Sequence, residues 1–123
     1  MSEKILHATS RDSWSAALAG GEYRAESLAG EGFMHCSTAA QIIRVANMLF
    51  RGRRDLVLLV IDPQYLRAEL KWEPPAHPSG VEAPPADDLF PHLYGPLNLE
   101  AVVGVLPFDP GPDGLFELPA ELR

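Results

Sequence analysis

The chain is short of cysteine, of basic residues and of long apolar runs, and each shortage excludes a class of protein. Cys36 is the only cysteine among 123 residues, which excludes an internal disulfide and a zinc site built from cysteines. Ten lysines and arginines against seventeen acidic residues give a formal net charge of −7, which argues against a general DNA- or RNA-binding protein. The longest apolar run, Leu56–Ile61, is too short to span a bilayer. We therefore expect no DNA partner and no membrane partner.

The sequence does contain enough apolar residues for a compact core. Hydrophobic residues make up 46% of the chain, which excludes global disorder. The length is typical of one domain, so we expect a single domain over residues 1–123. Residues 1–4 are not followed by the apolar stretch of a secretion signal. Together with the lone cysteine, this predicts a reduced, cytoplasmic protein.

Hydrophobic patterning predicts many short strands and two early helices, which is typical of an α+β fold. The predicted strands are residues 5–8, 56–61, 66–72, 101–106 and 115–118, with a further strand ending at His35-Cys36-Ser37. Helices are predicted at residues 11–18 and 39–50, where apolar side chains recur at three- and four-residue spacing. Residues 23–28 are predicted to be a partly extended connection. Two prolines and a glycine in residues 89–97 predict a bent edge strand.

Residues 75–88 are rich in Pro, Ala, Gly, Ser and acidic residues, and they include His77. This composition predicts a mobile loop rather than a regular element. Its length is typical of a lid or a flap that faces the substrate.

The segment of residues 31–38 runs from a strand directly into a helix N-terminus. Ser37 or Thr38 can cap that helix, with a glutamine three residues past Thr38 in capping-box spacing. Free backbone N–H groups and the helix dipole at such a terminus favour an anion or a polarised ligand atom. His35 and Ser37 share one face of the strand, whereas Cys36 points the opposite way. We interpret Cys36 as a small buried thiol rather than a nucleophile.

Three of the four histidines lie where strands end or bend: His7, His35 and His92. If they converge, they can bind ligand hydroxyls or phosphate, or act as acid and base. The alternative is that each is half buried and bonded to a backbone carbonyl. A zinc site built from all three is disfavoured, because no two histidines have the His-x-x-x-His spacing.

Three further side chains have both a functional and a structural interpretation. Glu73, at a strand end beside the predicted loop, is either a solvated surface acid or a catalytic carboxylate. Tyr94 can stack on a ring or bond through its hydroxyl. Ser37 is either a helix cap or a nucleophile, and the cap is favoured.

These motifs together resemble a known family. The matching residues are His7 after Ile5-Leu6, Ser27-Leu28 with the block Gly32-Phe33-Met34-His35-Cys36-Ser37, Asp62-Pro63, Glu73, and the block Phe90-Pro91-His92-Leu93-Tyr94-Gly95-Pro96-Leu97. They resemble the small bacterial family known as domain of unknown function 952, over almost the whole chain. The order of elements is in turn similar to the ADP-ribosyltransferase fold, a split α+β sheet structure that clamps a dinucleotide.

The resemblance implies roles for particular residues. In that fold a His or Arg of the first strand contacts the ribose hydroxyls near nicotinamide, and His7 is the match. A Ser, Thr or Tyr facing the cleft is matched by Ser37 or Thr38. A third-motif glutamate normally orients the ribose 2′-hydroxyl, and neither Glu100 nor Glu117 stands in an evident match for it.

The resemblance therefore implies a split, mostly antiparallel sheet and a cleft that binds NAD or a related nucleotide or ribose phosphate. The catalytic candidates are His7, His35, Ser37 and His92, and the ligand-binding candidates are Thr38, Tyr94 and Glu73. An enzyme of this kind would transfer or hydrolyse at ribose C1 without a metal. The alternatives are a non-catalytic module for a small molecule or a partner peptide and, disfavoured by the acidic charge, RNA end-phosphate processing.

Overall fold

The structure is a computed structural model that describes residues 3–74 and 89–123. Its helices are α1 (Arg11–Gly20), α2 (Glu26–Glu31) and α3 (Ala39–Leu49). Its strands are β1 (Ile5–Ser10), β2 (Glu22–Tyr23), β3 (Met34–His35), β4 (Leu56–Ile61), β5 (Glu69–Glu73), β6 (Phe90–Tyr94), β7 (Leu97–Asn98) and β8 (Val102–Phe108). Short 3₁₀ turns occupy Pro63–Tyr65, Leu99–Ala101 and Ala120–Leu122. The predicted mobile loop at residues 75–88, with His77, lies outside the described residues.

The described strands form a three-stranded sheet in the order β1-β4-β8, a second in the order β3-β6-β5, and a two-stranded ribbon of β2 and β7. Every one of these pairs is antiparallel. The two larger sheets meet where the backbones of Leu6 and Ser37 exchange a pair of hydrogen bonds, at 2.7 and 2.8 Å. This arrangement confirms the prediction of a small mixed domain with mostly antiparallel sheets and few helices. In the described part of the chain, no helix has the length and apolar character needed to cross a membrane.

Strand β4 is the centre of the first sheet, as its continuous apolar sequence predicts. Alternate residues face opposite sides, so Leu59 joins one apolar cluster and Leu58 the other. Helix α1 contributes Ala17 to the first cluster, and α3 contributes Ala46 to the second. A strand buried on both faces has no need for polar alternation, which explains the unbroken apolar run.

Helix α2 is an element that the sequence does not predict. Tyr23 does lie in a short extended segment, but the chain then turns into a helix of six residues that ends at Gly32, whose φ is 90°. No side chain of α2 is buried, and Ala25 provides no capping hydrogen bond at its start. A helix this short has neither an apolar stripe nor a cap to reveal it.

The prediction of a bent edge strand at residues 89–97 is wrong, because β6 lies between β3 and β5 in the middle of its sheet. Pro91 cannot donate, but its carbonyl accepts from the N–H of Cys36 at 3.0 Å. The proline therefore removes only one N–H donor from the hydrogen bonds between the strands, and β6 can remain the central strand of its sheet. The bend comes after the strand, at Gly95, where an added Cβ would lie 2.7 Å from the Cβ of Ala68.

The predicted final strand at residues 115–118 is also wrong. The structure assigns no regular element there, yet Phe116 is buried and its ring stacks on Phe108 with centroids 4.6 Å apart. The apolar pattern of this segment therefore reports packing on the core rather than strand pairing.

Candidate ligand-binding site

The outer face of the β3-β6-β5 sheet carries a dense group of polar and aromatic side chains. Met34 and Leu93 are completely buried and belong to the apolar cluster beneath this sheet. Because neighbouring residues of a strand point to opposite faces, His35 and His92 are directed to the outer side. They stand opposite each other in the register, with Lys71 opposite His92 on the next strand. The burial of the apolar residues thus fixes the register that aligns the two histidines.

His92 is the buried centre of this face, with 2% of its surface exposed. Its Nδ1 lies 2.9 Å from Oε1 of Glu73. A carboxylate can only accept, so Nδ1 carries a proton and donates. Among the described residues, the buried Nε2 of His92 has no hydrogen-bond partner. A buried polar atom left without a partner costs about 1–3 kcal/mol and is rare in folded proteins.

Glu73 also holds the second aromatic side chain of this face. The hydroxyl of Tyr94 donates to the same Oε1 at 2.5 Å. The hydrogen bonds from Tyr94 and His92 lower the pKa of the Glu73 carboxyl, and the carboxylate in turn raises the pKa of the Tyr94 hydroxyl. The ammonium group of Lys71 lies 4.8 Å from the centre of the Tyr94 ring. Glu73 therefore acts as an ionised acceptor that orients His92 and Tyr94.

His35 is the exposed partner of His92. The two rings have centroids 5.5 Å apart at an angle of 79°. Nε2 of His35 lies 2.9 Å from Oε2 of Glu31, at the end of α2. Both side chains of that pair are more than 40% exposed, so it adds little stability and mainly orients the ring. The face thus presents two neighbouring histidines, each with its own glutamate.

Phe33 covers the group, although it is not among the site residues that the sequence predicts. Its ring stacks on His92 with centroids 4.3 Å apart, and it lies 5.0 Å from the ring of His35 and 5.2 Å from that of Tyr94. The positive φ of Gly32 turns the chain sharply just before it. Phe33 stands two residues before His35, as His35 stands two residues before Ser37. This period-two spacing predicts that Phe33 shares their face of the strand, and it is the signal that identifies Phe33 as a site residue.

His7 lies beneath the site, and both of its ring nitrogens are bonded within the protein. Nδ1 lies 2.7 Å from the carbonyl oxygen of His35 and donates to it, while Nε2 lies 2.9 Å from the hydroxyl of Tyr23. Burial lowers the pKa of His7 and outweighs the opposing effect of the carbonyl bond. In the neutral ring, Nε2 accepts from Tyr23, whose hydroxyl also lies 2.9 Å from that of Thr9. His7 therefore fastens β1 to β3 and supports His35 from below.

A pocket of about 180 Å³ lies beside this face. Its polar wall contains His7, Ser27, His35 and Ser37, and its apolar wall comes mainly from α3. The sequence predicts that the three histidines and Ser37 approach one pocket. The structure brings His7, His35 and Ser37 to this pocket, and His92 adjoins it through the ring of His35.

Thr38 and Cys36 have structural partners in the described chain. Thr38 and Gln41 form a capping box, in which Gln41 Oε1 accepts from the N–H of Thr38 at 3.0 Å. The donors at the start of α3 are therefore satisfied in part by the chain itself. Cys36 is buried in the apolar cluster under β3, and burial raises the pKa of its thiol to about 12. This confirms the interpretation of Cys36 as a buried thiol.

Metal ligation finds no support in the described residues. Across residues 3–74 and 89–123, no three or more His, Cys, Asp or Glu side chains are grouped so that they could hold a metal ion. The expectation that the protein carries no tightly bound metal stays a prediction, which elemental analysis of tag-free protein can test.

Comparisons with known proteins connect the chain to one protein family and to one set of solved structures. Residues 8–105 match the family described as "Protein of unknown function (DUF952)". The X-ray structure of protein CC0527 from Caulobacter crescentus is 33% identical, covers 97% of each chain and has a TM-score of 0.80. The solution NMR structure of the same protein is 32% identical, covers 98% of this chain and 97% of its own, and has a TM-score of 0.77. The curated proteins gave no significant match.

Proposed function

The chain belongs to the DUF952 family, and we propose that it is an ADP-ribosyltransferase-like domain that binds NAD or a related nucleotide or ribose phosphate. The observation that carries this proposal is the Glu73–His92 pair with its unpartnered Nε2. A buried polar atom without a partner requires an explanation, and the aromatic side chains around this one favour a bound ligand group. Tyr94 and Phe33 offer ring faces on which a base or a nicotinamide can stack.

The pocket beside the face supports a ligand that carries a flat ring. Its volume of about 180 Å³ is below that of typical sites for drug-sized molecules, so it suits one ring rather than a whole dinucleotide. Ser27 and Ser37 offer hydroxyls to the polar edge of such a ring. His35 lines this pocket and its ring contacts that of His92, so a ribose attached to the bound ring would extend towards His92.

In an enzyme, the third-motif carboxylate is then Glu73. Its ionised side chain stabilises the positive charge that develops on the sugar. The bond from ribose C1 to the pyridinium nitrogen breaks, and the nitrogen keeps the electron pair as neutral nicotinamide leaves. A water or alcohol oxygen bonds to C1 and releases its proton to the solvent. The second candidate is a non-catalytic binding module, and it is favoured by the burial of Nε2 of His92 under Phe33.

The test is calorimetric titration of NAD, ADP-ribose and AMP into the wild type and two glutamate variants. We expect at least one ligand to bind, and Glu73→Gln to weaken it by roughly one to two decades, since a charge-assisted hydrogen bond contributes about 1.5–3 kcal/mol. The control is Glu22→Gln, because Glu22 is also partly exposed and ion-paired, with Arg24 at 2.6 Å. It should leave the affinity unchanged. His7→Ala should weaken binding as well, through the loss of support under His35.

The same titration separates the alternatives. If none of the three ligands binds the wild type at millimolar concentration, nucleotide binding is refuted. Release of free nicotinamide from NAD, followed by chromatography, distinguishes an enzyme from a binding module. Glu73→Gln should abolish that release, whereas Glu22→Gln should not.

A further inference from the structure

The protonation pattern of the Glu73–His92 pair determines which chemical group the site can accept. Because Glu73 holds the proton of Nδ1, the neutral ring of His92 presents a lone pair at Nε2. That atom needs a donor, and no described residue supplies one. A fully ionised oxyanion only accepts, so it does not complement a lone pair at Nε2. A hydroxyl fits the neutral ring directly.

We propose that the ligand group seated at His92 is a hydroxyl that donates its hydrogen bond to Nε2, and that Phe33 turns aside to admit it. This inference rests on the proposed function only in taking the hydroxyl to belong to a ribose. The surroundings favour a neutral donor over an anion, since Glu73, Glu31 and Glu69 lie on or beside the face and Lys71 is its one lysine. Any polyol hydroxyl has the same chemistry, and D-ribose is the simplest probe of it that lacks a phosphate and a base.

Phe33 can leave its place without opening the interior. It stacks on His92 but belongs to neither apolar cluster of the described residues. Its side chain is only partly buried, and its contacts are the rings of this face. Rotation of Phe33 therefore exchanges one ring stack for a ligand, at a cost far below that of disrupting the core.

The Glu73–His92 pair strengthens the acceptor that it offers to such a hydroxyl. The hydroxyl of Tyr94 holds Glu73 in place, and the ionised carboxylate polarises the imidazole through its bond to Nδ1.

The first experiment determines the tautomer of His92 by ¹⁵N NMR, with D-ribose, ribose 5-phosphate or inorganic sulfate added. Sulfate is the control, because it carries no proton at neutral pH and can only accept. We expect Nδ1 to be protonated and Nε2 to be the free acceptor, so D-ribose and ribose 5-phosphate should shift the Nε2 resonance and sulfate should not. A proton on Nε2 in the neutral ring, a response to sulfate, or no response to either sugar would each refute hydroxyl binding at Nε2.

The second experiment tests whether Phe33 covers His92. It measures the rate at which diethylpyrocarbonate modifies His92, with the products mapped by peptide mass spectrometry. Phe33→Ala should raise the rate at His92 by about two- to tenfold, the factor that corresponds to the loss of one ring stack. Tyr65→Ala is the control, since Tyr65 is also an accessible aromatic side chain but lies in the 3₁₀ turn Pro63–Tyr65. Equal rates at His92 in both variants would refute the role of Phe33.

These results remain distinguishable from the fate of the proposed function. If NAD, ADP-ribose and AMP fail to bind but D-ribose shifts the Nε2 resonance of His92, nucleotide binding is refuted. Hydroxyl binding at Nε2 is then supported. If a nucleotide binds and leaves the Nε2 resonance unchanged, hydroxyl binding at Nε2 is refuted and nucleotide binding is supported.

Discussion

The hydroxyl of Tyr23 joins two polar groups under the candidate site, and Tyr23→Phe removes it with almost no change of shape. The hydroxyl lies 2.9 Å from Nε2 of His7 and 2.9 Å from Oγ1 of Thr9. Tyr23 is 5% exposed, so no bulk water replaces the missing group. His7 cannot compensate by exchanging its tautomer, because Nδ1 still has to donate to the carbonyl of His35.

The expected loss of stability follows from Nε2 of His7, which Tyr23→Phe leaves without a hydrogen-bond partner. A buried acceptor without a partner costs about 1–3 kcal/mol, and the phenylalanine ring keeps the apolar packing. For a chain of this length, that loss lowers the melting temperature by roughly 4–12 °C. The loss should appear in the midpoint of a urea titration and not in its slope, because the surface exposed on unfolding is unchanged.

The assay is urea unfolding at pH 7, followed by circular dichroism, with Tyr65→Phe as the matched control. Tyr65 is 52% exposed, so its variant should stay within about 0.5 kcal/mol of the wild type. If Tyr23→Phe is no less stable than Tyr65→Phe, the hydroxyl does not hold His7, and the account of the support under His35 is wrong.

Three further predictions test other parts of the structure. Gly95→Ala should destabilise by about 1–3 kcal/mol in urea unfolding, because its Cβ would lie 2.7 Å from that of Ala68. Gly20→Ala, at the end of α1 with nothing within 4 Å, should stabilise by about 0.4–1 kcal/mol, and the opposite order would contradict the packing argument. The lowered pKa of Glu73 stabilises the fold above its ordinary value of 4.5, and this stabilisation is lost as the pH falls through the lowered pKa. The stability gap between wild type and Glu73→Gln should therefore narrow on acidification, and a gap that widens would refute the assignment. Since burial raises the pKa of Cys36 to about 12, native protein should not react with Ellman's reagent at mildly alkaline pH until it is unfolded.

The sequence predicts the elements whose signals are local. The unbroken apolar run of β4 identifies a central strand, because both faces of that strand are buried. Thr38 and Gln41 mark the start of α3 through a capping box that involves only neighbouring residues. Gly21, with φ of 89°, ends α1 for an equally local reason. His35, His92, Glu73 and Tyr94 are recognisable as candidates because each stands at a break in such a pattern.

The contacts within the candidate site depend on how the strands pair in the sheet. This pairing joins residues far apart in the chain, so a local sequence pattern does not predict it. Glu73 meets His92 because β5 pairs with β6, and that pairing places Pro91 in a central strand against the usual rule. Phe33 covers His92 only after α2 and its terminal glycine have turned the chain, and α2 is too short to be detected from the sequence. Tyr23 bonds to His7 from β2, a strand of only two residues that is likewise too short to be detected from the sequence. The sequence therefore identifies the polar members of the site but not their partners.

The junction between the two larger sheets combines a main-chain pair with one side-chain bond. Leu6 and Ser37 are joined by their N–H and carbonyl groups, which almost every amino acid possesses. His7, the residue after Leu6, adds the bond from Nδ1 to the carbonyl of His35. Leu6 and Ser37 also belong to the wall of the pocket beside the histidines. Substitution of Ser37 can therefore alter the chemistry of that wall while the main-chain hydrogen bonds between the sheets remain.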